Sequence, residues 1–295
     1  MADHKFYIVD VFAQQKYAGN QLAVVLNASG LTDAEMQQIA REFDFSETTF
    51  ITADSPQDDA WPVRIFTPQH ELPFAGHPTL GTAYIIRQHL SNGQLTEVTL
   101  AVPAGRIPVA FEFADGEPTR LTMTQLPPSF GRELDRAEVA RVLGLKPDDL
   151  EPRSPVQEVS TGFWTIIAPL VSLEAQDRIR IDRARCEALI EPLDGKDILT
   201  YCRQTHDPDC DLNVRMFADY YGVPEDPATG SANGCLAAYL VKHRVLDKNK
   251  ISLVVEQGVQ MGRPSRLCIQ ADETCGKIVV KVGGSVVPVA QGRLV

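Results

Sequence analysis

The sequence predicts an α+β protein of two pseudo-symmetric domains, each a mostly antiparallel, curled sheet wrapped around one central helix. Three observations predict it. The two halves of the chain repeat each other, strand-like segments recur in both halves, and each half holds one helix that is small-sided or apolar on most faces.

The repeat is carried by several matches in one order. Arg64-Ile65-Phe66 leads into Gly76-His77-Pro78-Thr79-Leu80-Gly81-Thr82-Ala83-Tyr84. Arg215-Met216-Phe217 begins 151 residues later and leads into Asp226-Pro227-Ala228-Thr229-Gly230-Ser231-Ala232, then Ala237-Ala238-Tyr239. Residues 97–102 with Gly105 parallel residues 250–255 with Gly258, and Gly131-Arg132-Glu133-Leu134 parallels Gly292-Arg293-Leu294. A period of about 150 residues is too long for a solenoid unit, so the pattern reads as two fused copies of one domain. The expected domains are residues 1–125, joined by a closing strand from about 285–295, and residues 126–284.

Taken in order, the first half offers strands at 5–12, 21–26, 47–52, 62–66, 95–102, 106–113 and 119–124. The second offers 156–160, 163–170, 197–203, 212–217, 250–256, 265–271 and 276–282. Thr32-Asp33-Ala34-Glu35 is a capping box, followed by Met36, Ile39, Ala40 and Phe43 at helical spacing. Asp182 caps a matching helix that carries Cys186, Leu189 and Ile190. Residues 79–90 and 230–242 are the central helices, whose small residues let strands approach closely.

Composition bounds the function. The 295 residues are 44% hydrophobic and 23% charged, ample for two cores, and 28 Lys+Arg against 39 Asp+Glu give a net charge of −11. Phosphate-backbone binding needs clustered cations, so nucleic acid is not an expected partner. No apolar run of about 18 residues marks a membrane span. The amino terminus runs directly into Phe6-Tyr7-Ile8-Val9, so a signal peptide is not expected. The 6 cysteines include no CxxC pair and read as reduced thiols of a cytoplasmic protein. Cys202, His206 and Cys210 have a metal-compatible spacing but no evident fourth ligand, and the expected metal is none. Neither GxxxxGK[ST] nor GxGxxG nor HExxH occurs, and Gly230-Ser231-Ala232-Asn233-Gly234 lacks the GxSxG register.

The chemistry is expected at the starts of the central helices. Ala75-Gly76-His77-Pro78 places Pro near the first helical position and His77 near the cap, while Gly230 and Ser231 open the second helix behind Asp226. Unpaired N–H groups and the helix dipole make such starts natural seats for a carboxylate or phosphate. A pseudo-two-fold arrangement would bring both starts to an interdomain cleft. The dipole would keep His77 neutral, able to donate or relay a proton. Glu47, between Phe45 and Phe50 at the mouth of a strand, has the apolar surroundings of a base that must later return its proton.

Several of these blocks are recognisable. Ser46-Glu47-Thr48-Thr49-Phe50, Arg64-Ile65-Phe66-Thr67-Pro68, Glu71-Leu72-Pro73-Phe74-Ala75-Gly76-His77-Pro78-Thr79-Leu80-Gly81 and Glu225-Asp226-Pro227-Ala228-Thr229-Gly230-Ser231-Ala232 resemble the motifs of the PhzF family. Gly19-Asn20-Gln21-Leu22-Ala23-Val24 and Gly283-Gly284-Ser285 fit as well, so the resemblance spans essentially the whole chain. It implies a diaminopimelate-epimerase-like fold, two β-barrels each around a central helix. It also implies an isomerase that moves a proton within a small carboxylate-bearing substrate, as in isomerisation of trans-2,3-dihydro-3-hydroxyanthranilate, with no metal or organic cofactor. Glu47 is then the acid/base, His77 and Asp226 hold polar groups and assist proton movement, and Gly76, Gly230 and Ser231 bind substrate. A homodimer is the expected assembly.

The wider fold also includes racemases that use two opposed cysteines at the helix starts. Here those starts carry no cysteine, and Cys235 lies further inside the second helix. The competing readings are an amino-acid epimerase that pairs Glu47 with a group other than Cys, and a non-catalytic binding or interaction protein of the same fold.

Overall fold

Residues 4–91 and 93–295 are described by a computed structural model. Residues 1–3, where the first domain is expected to open, and residue 92 lie outside the described residues. The chain divides into two units, residues 1–124 with 283–295 and residues 125–282.

Unit 1 begins with β1 (His4–Val11), β2 (Asn20–Val25), α1 (Asp33–Phe43), β3 (Glu47–Ile51), β4 (Trp61–Phe66) and the short β5 (Glu71–Leu72). It continues with α2 (Gly76–Ile85), β6 (Glu97–Val102), β7 (Gly105–Ala114) and β8 (Glu117–Thr124). The capping box forms as its residues dictate, since Glu35 Oε2 accepts from the Thr32 N–H at 2.7 Å and the Thr32 hydroxyl accepts from the Glu35 N–H. Met36 and Ala40 of α1 pack on Val25, Phe50 and Phe66. Asp44 then ends the helix in the left-handed region and turns the chain toward Glu47.

Strands β1–β2, β3–β4, β6–β7 and β7–β8 pair antiparallel, while β2–β3 and β4–β6 pair parallel. Strand β2 is buried at all but one position because it lies between two helices, with α1 over one face and α2 over the other. Helix α2 touches β1, β2, β3, β6, β7 and β8, and every residue of it but Tyr84 is buried. Such a helix has no room for bulk: a Cβ on Gly81 would stand 2.5 Å from Leu22 Cδ2 and 3.0 Å from Val11 Cγ2. The helix starts at Gly76 rather than 79, with His77 second and Pro78 third. Proline is accepted there because first-turn N–H groups have no intrahelical partner to lose. Beyond Ile85 the helix widens into a π turn over Ile86–Leu90.

Unit 2 contains β9 (Ser129–Leu134), α3 (Arg136–Val142), β10 (Val156–Ser160), β11 (Trp164–Pro169), α4 (Leu173–Arg178), α5 (Arg183–Ile190), β12 (Ile198–Cys202) and β13 (Leu212–Phe217). Then follow α6 (Gly230–Lys242), β14 (Lys250–Gln257), β15 (Ser265–Thr274) and β16 (Lys277–Gly284), the last two residues of β16 being counted with unit 1. The pairing repeats that of unit 1: β10–β11, β12–β13 and β14–β15 antiparallel, β11–β12 and β13–β14 parallel. Helix α6 touches β10, β11, β14 and β15 and is buried along almost its whole length. Asp182 caps α5 by accepting from the Arg185 N–H at 3.1 Å. Helices α3 and α4 escape the sequence reading because they are only 7 and 6 residues long, although Asp135 and Ser172 cap them.

The last strand, β17 (Val286–Leu294), runs antiparallel to β1 from His4↔Leu294 to Val11↔Val286. In unit 2 the corresponding place against β10 is taken by β9. No described helix is long and apolar enough to cross a membrane.

Candidate active site

In unit 1 the parallel β2–β3 register sets Glu47 beside Leu22 at the first position of β3. Gly76 and His77 are the first two residues of α2, and Ala75 contributes no side-chain cap. His77 Nε2 lies 3.3 Å from Glu47 Oε2, close enough for an ion pair or a proton exchange though not aligned as a hydrogen bond. The His77 side chain is 5% exposed and that of Glu47 16%. Burial lowers the His77 pKa to about 3, against an opposing hydrogen bond that the Gln21 backbone accepts from the ring, so the imidazole is neutral near pH 7. The neutral ring is thus expected from sequence, but desolvation is its main cause. On the other ring edge, Asn20 Nδ2 lies 3.3 Å from Nδ1.

In unit 2, Gly230 and Ser231 hold the same first and second positions of α6, again with no side-chain cap, from Thr229. The Thr229 hydroxyl instead donates to Asp226 Oδ2. Gln257 ties the loop together: Nε2 donates to the Asp226 carbonyl at 2.8 Å, and Oε1 accepts from the Thr229 N–H at 3.2 Å and from Asn233 Nδ2 at 2.8 Å. Asp226 feels a second carboxyl, the buried Asp197, whose pKa burial pushes well above the usual carboxylate range.

Sequence reading missed the devices that hold both helix starts. Arg64 donates from Nε and Nη2 to the two carboxylate oxygens of Glu71 at 2.7 and 2.6 Å, and Arg215 does the same to Glu225, both at 2.8 Å. Each acid stands five residues before the first residue of its central helix. The arginines served in the sequence only as markers of the repeat; the equally repeated acids were the signal that they act as pairs.

Cys235 lies in the second turn of α6, its Sγ against Thr161 Oγ1 and the Phe163 carbonyl, and burial pushes the thiol pKa up to about 12. It is an inert core thiol. The Cys202 thiol donates to the Gln204 carbonyl, and the His206 and Asp207 N–H groups donate to Glu256. Among the described residues no three His, Cys, Asp or Glu side chains are grouped as metal ligands.

The family model described as phenazine biosynthesis-like protein matches residues 9–292. The trans-2,3-dihydro-3-hydroxyanthranilate isomerase of Pseudomonas aeruginosa is 34% identical over 295 residues, covering 98% of this chain and 99% of that one. An uncharacterised isomerase of Mesorhizobium japonicum is 33% identical over 304 residues, covering 100% and 99%. A PhzF-family phenazine biosynthesis protein of Bacillus anthracis has a solved structure that matches with a TM-score of 0.90 at 28% identity over all of both chains. Repeated units, each built on a buried central helix, and relatives named isomerases define an isomerase of a small-molecule substrate. The chain belongs to the PhzF family, with the diaminopimelate-epimerase-like fold that the sequence motifs imply.

Proposed function

We propose that this protein isomerises a small carboxylate-bearing substrate by moving one proton between two carbons, and that Glu47 carries that proton. The observation that carries the reading is the Glu47–His77 pair: one carboxylate 3.3 Å from a buried imidazole that is neutral at physiological pH. The ionised carboxylate takes a proton from one carbon, becomes the acid, and returns the same proton to another carbon of the delocalised anion. No net charge is created and no co-reactant is consumed. Gly76 and His77 offer first-turn N–H groups and an imidazole to substrate oxygens. Gly230 and Ser231 offer the equivalent N–H groups to the carboxylate, and Asp226 takes a polar substituent.

The substrate class follows that of the Pseudomonas aeruginosa relative, whose name specifies trans-2,3-dihydro-3-hydroxyanthranilate. The reading includes a homodimer that works without a cofactor, and 6 cysteines with no CxxC pair suit a cytoplasmic protein. Two-thiol epimerisation is the weaker reading, because Cys235 is buried and its thiol held protonated.

The test is Glu47→Gln, assayed on trans-2,3-dihydro-3-hydroxyanthranilate and on a panel of cyclic and acyclic amino-carboxylates in heavy water. Glutamine keeps the reach of glutamate but cannot accept and return a proton. Turnover and deuterium uptake should fall by at least the ~10²–10⁴-fold typical of a lost acid/base, with substrate affinity little changed. Turnover within a few-fold of wild type would show that Glu47 is not the base.

A further inference from the structure

A neutral imidazole has one N–H, and the nitrogen that bears it decides what His77 can offer Glu47. The Nε2 edge faces Glu47 Oε2 at 3.3 Å. The Nδ1 edge faces Asn20 Nδ2 at 3.3 Å, and Asn20 is 1% exposed. An amide NH₂ has only protons to give, so the nitrogen it meets presents a lone pair. We propose that Asn20 is a positioning residue: by donating from Nδ2 to His77 Nδ1 it holds the ring in the tautomer protonated at Nε2, the nitrogen that faces Glu47. That tautomer offers a donor to the ionised carboxylate, or to a substrate oxygen. The opposite one would set a lone pair against the carboxylate and would hydrogen-bond only to its protonated form.

The chain holds Asn20 in place from several directions. It opens β2 opposite Val11 of β1. The residue before it, Gly19, has φ of +68°, and a Cβ there would lie 2.4 Å from the Val11 carbonyl oxygen. Upstream, the buried Asp10 accepts the Tyr17 N–H at 2.7 Å, pinning a residue whose φ is +69°. A loop so tied delivers the amide to one spot, as a group that fixes a tautomer requires. The rival is the Gln21 backbone, which also hydrogen-bonds the ring and, as an acceptor, would favour a proton on Nδ1.

The catalytic consequence rests on the proposed role of Glu47, whereas the tautomer can be read without turnover. Protein labelled with ¹⁵N-histidine gives ring correlation spectra at pH 7, and loss of signals in His77→Gln identifies His77 among the 6 histidines. Wild type should show a protonated Nε2 and an unprotonated Nδ1. Asn20→Asp puts an acceptor of the same size at Nδ1, so the pattern should invert, with kcat falling tenfold or more and KM little changed. A wild-type spectrum with the proton on Nδ1, or an Asn20→Asp spectrum like that of wild type, overturns the proposal. If Asn20→Asp does not fold, the wild-type spectrum decides alone. An inverted tautomer together with an active Glu47→Gln enzyme would remove Glu47 as base and leave the tautomer assignment standing.

Discussion

At His77 the imidazole must be desolvated in the folded chain, and its pKa drops from 6.5 to about 3. The unfolded chain therefore binds a proton that the folded chain refuses between those values. The stabilising contribution is complete above pH 6.5 and is lost progressively as pH falls toward 3. The slope is up to about 1.4 kcal/mol per pH unit. Denaturant unfolding of His77→Gln should show a shallower loss of stability than wild type between pH 6.5 and pH 4, with the two curves parallel above pH 7. Identical slopes would mean that the buried ring is not what titrates. At this scale the sequence singled out Glu47 and His77, and the fold brings their side chains to 3.3 Å of each other. It could not reveal Asn20, because a polar residue beside a strand start is ordinary until the fold sets it against an imidazole.

Among the elements, the two arginine–glutamate forks do equivalent work with unequal burial. The Arg215 and Glu225 side chains are 8% and 17% exposed, whereas Arg64 and Glu71 are 27% and 32% exposed. Removing one partner of a buried pair strands the other charge at a cost of about 3–5 kcal/mol, while an exposed pair is worth about 1 kcal/mol or less. Arg215→Ala should therefore destabilise the chain by several kcal/mol and Arg64→Ala by clearly less, read from denaturant midpoints. Arg215→Lys should restore little, because an ammonium cannot bind both carboxylate oxygens in a planar fork. Equal midpoints for Arg215→Ala and Arg64→Ala would contradict this account. Strand positions were legible because most strands show alternating or continuous apolar runs. The short helices α3 and α4 were not, since 7 and 6 residues hold too few turns to show a period.

For the whole molecule, β17 is the part whose removal should have a local effect. It covers β1 along its length, and Gly292 lies so close to the Phe6 ring that a Cβ there would stand 2.6 Å from it. Deleting residues 286–295 bares the β1 edge and takes Leu294 from the α1 core. Hydrogen exchange should then show β1 and β2 losing protection while β12 and β13 keep theirs, with the first thermal transition lowered. Uniform loss of protection would mean that the two units unfold as one.

The sequence by itself determined the repeat, the two central helices and the residue types at their starts. Those features are local: a run of small and apolar residues has no face to show water, and a helix start leaves its N–H groups open whatever surrounds it. Only the tertiary structure decided which groups meet. The burial that neutralises His77, the 3.3 Å approach to Glu47 and the amide of Asn20 join residues far apart along the chain, while the forks at Glu71 and Glu225 close loops whose ends are 7 and 10 residues apart. Desolvation and hydrogen-bond geometry depend on what the fold packs around a group, and periodicity along one chain does not record that.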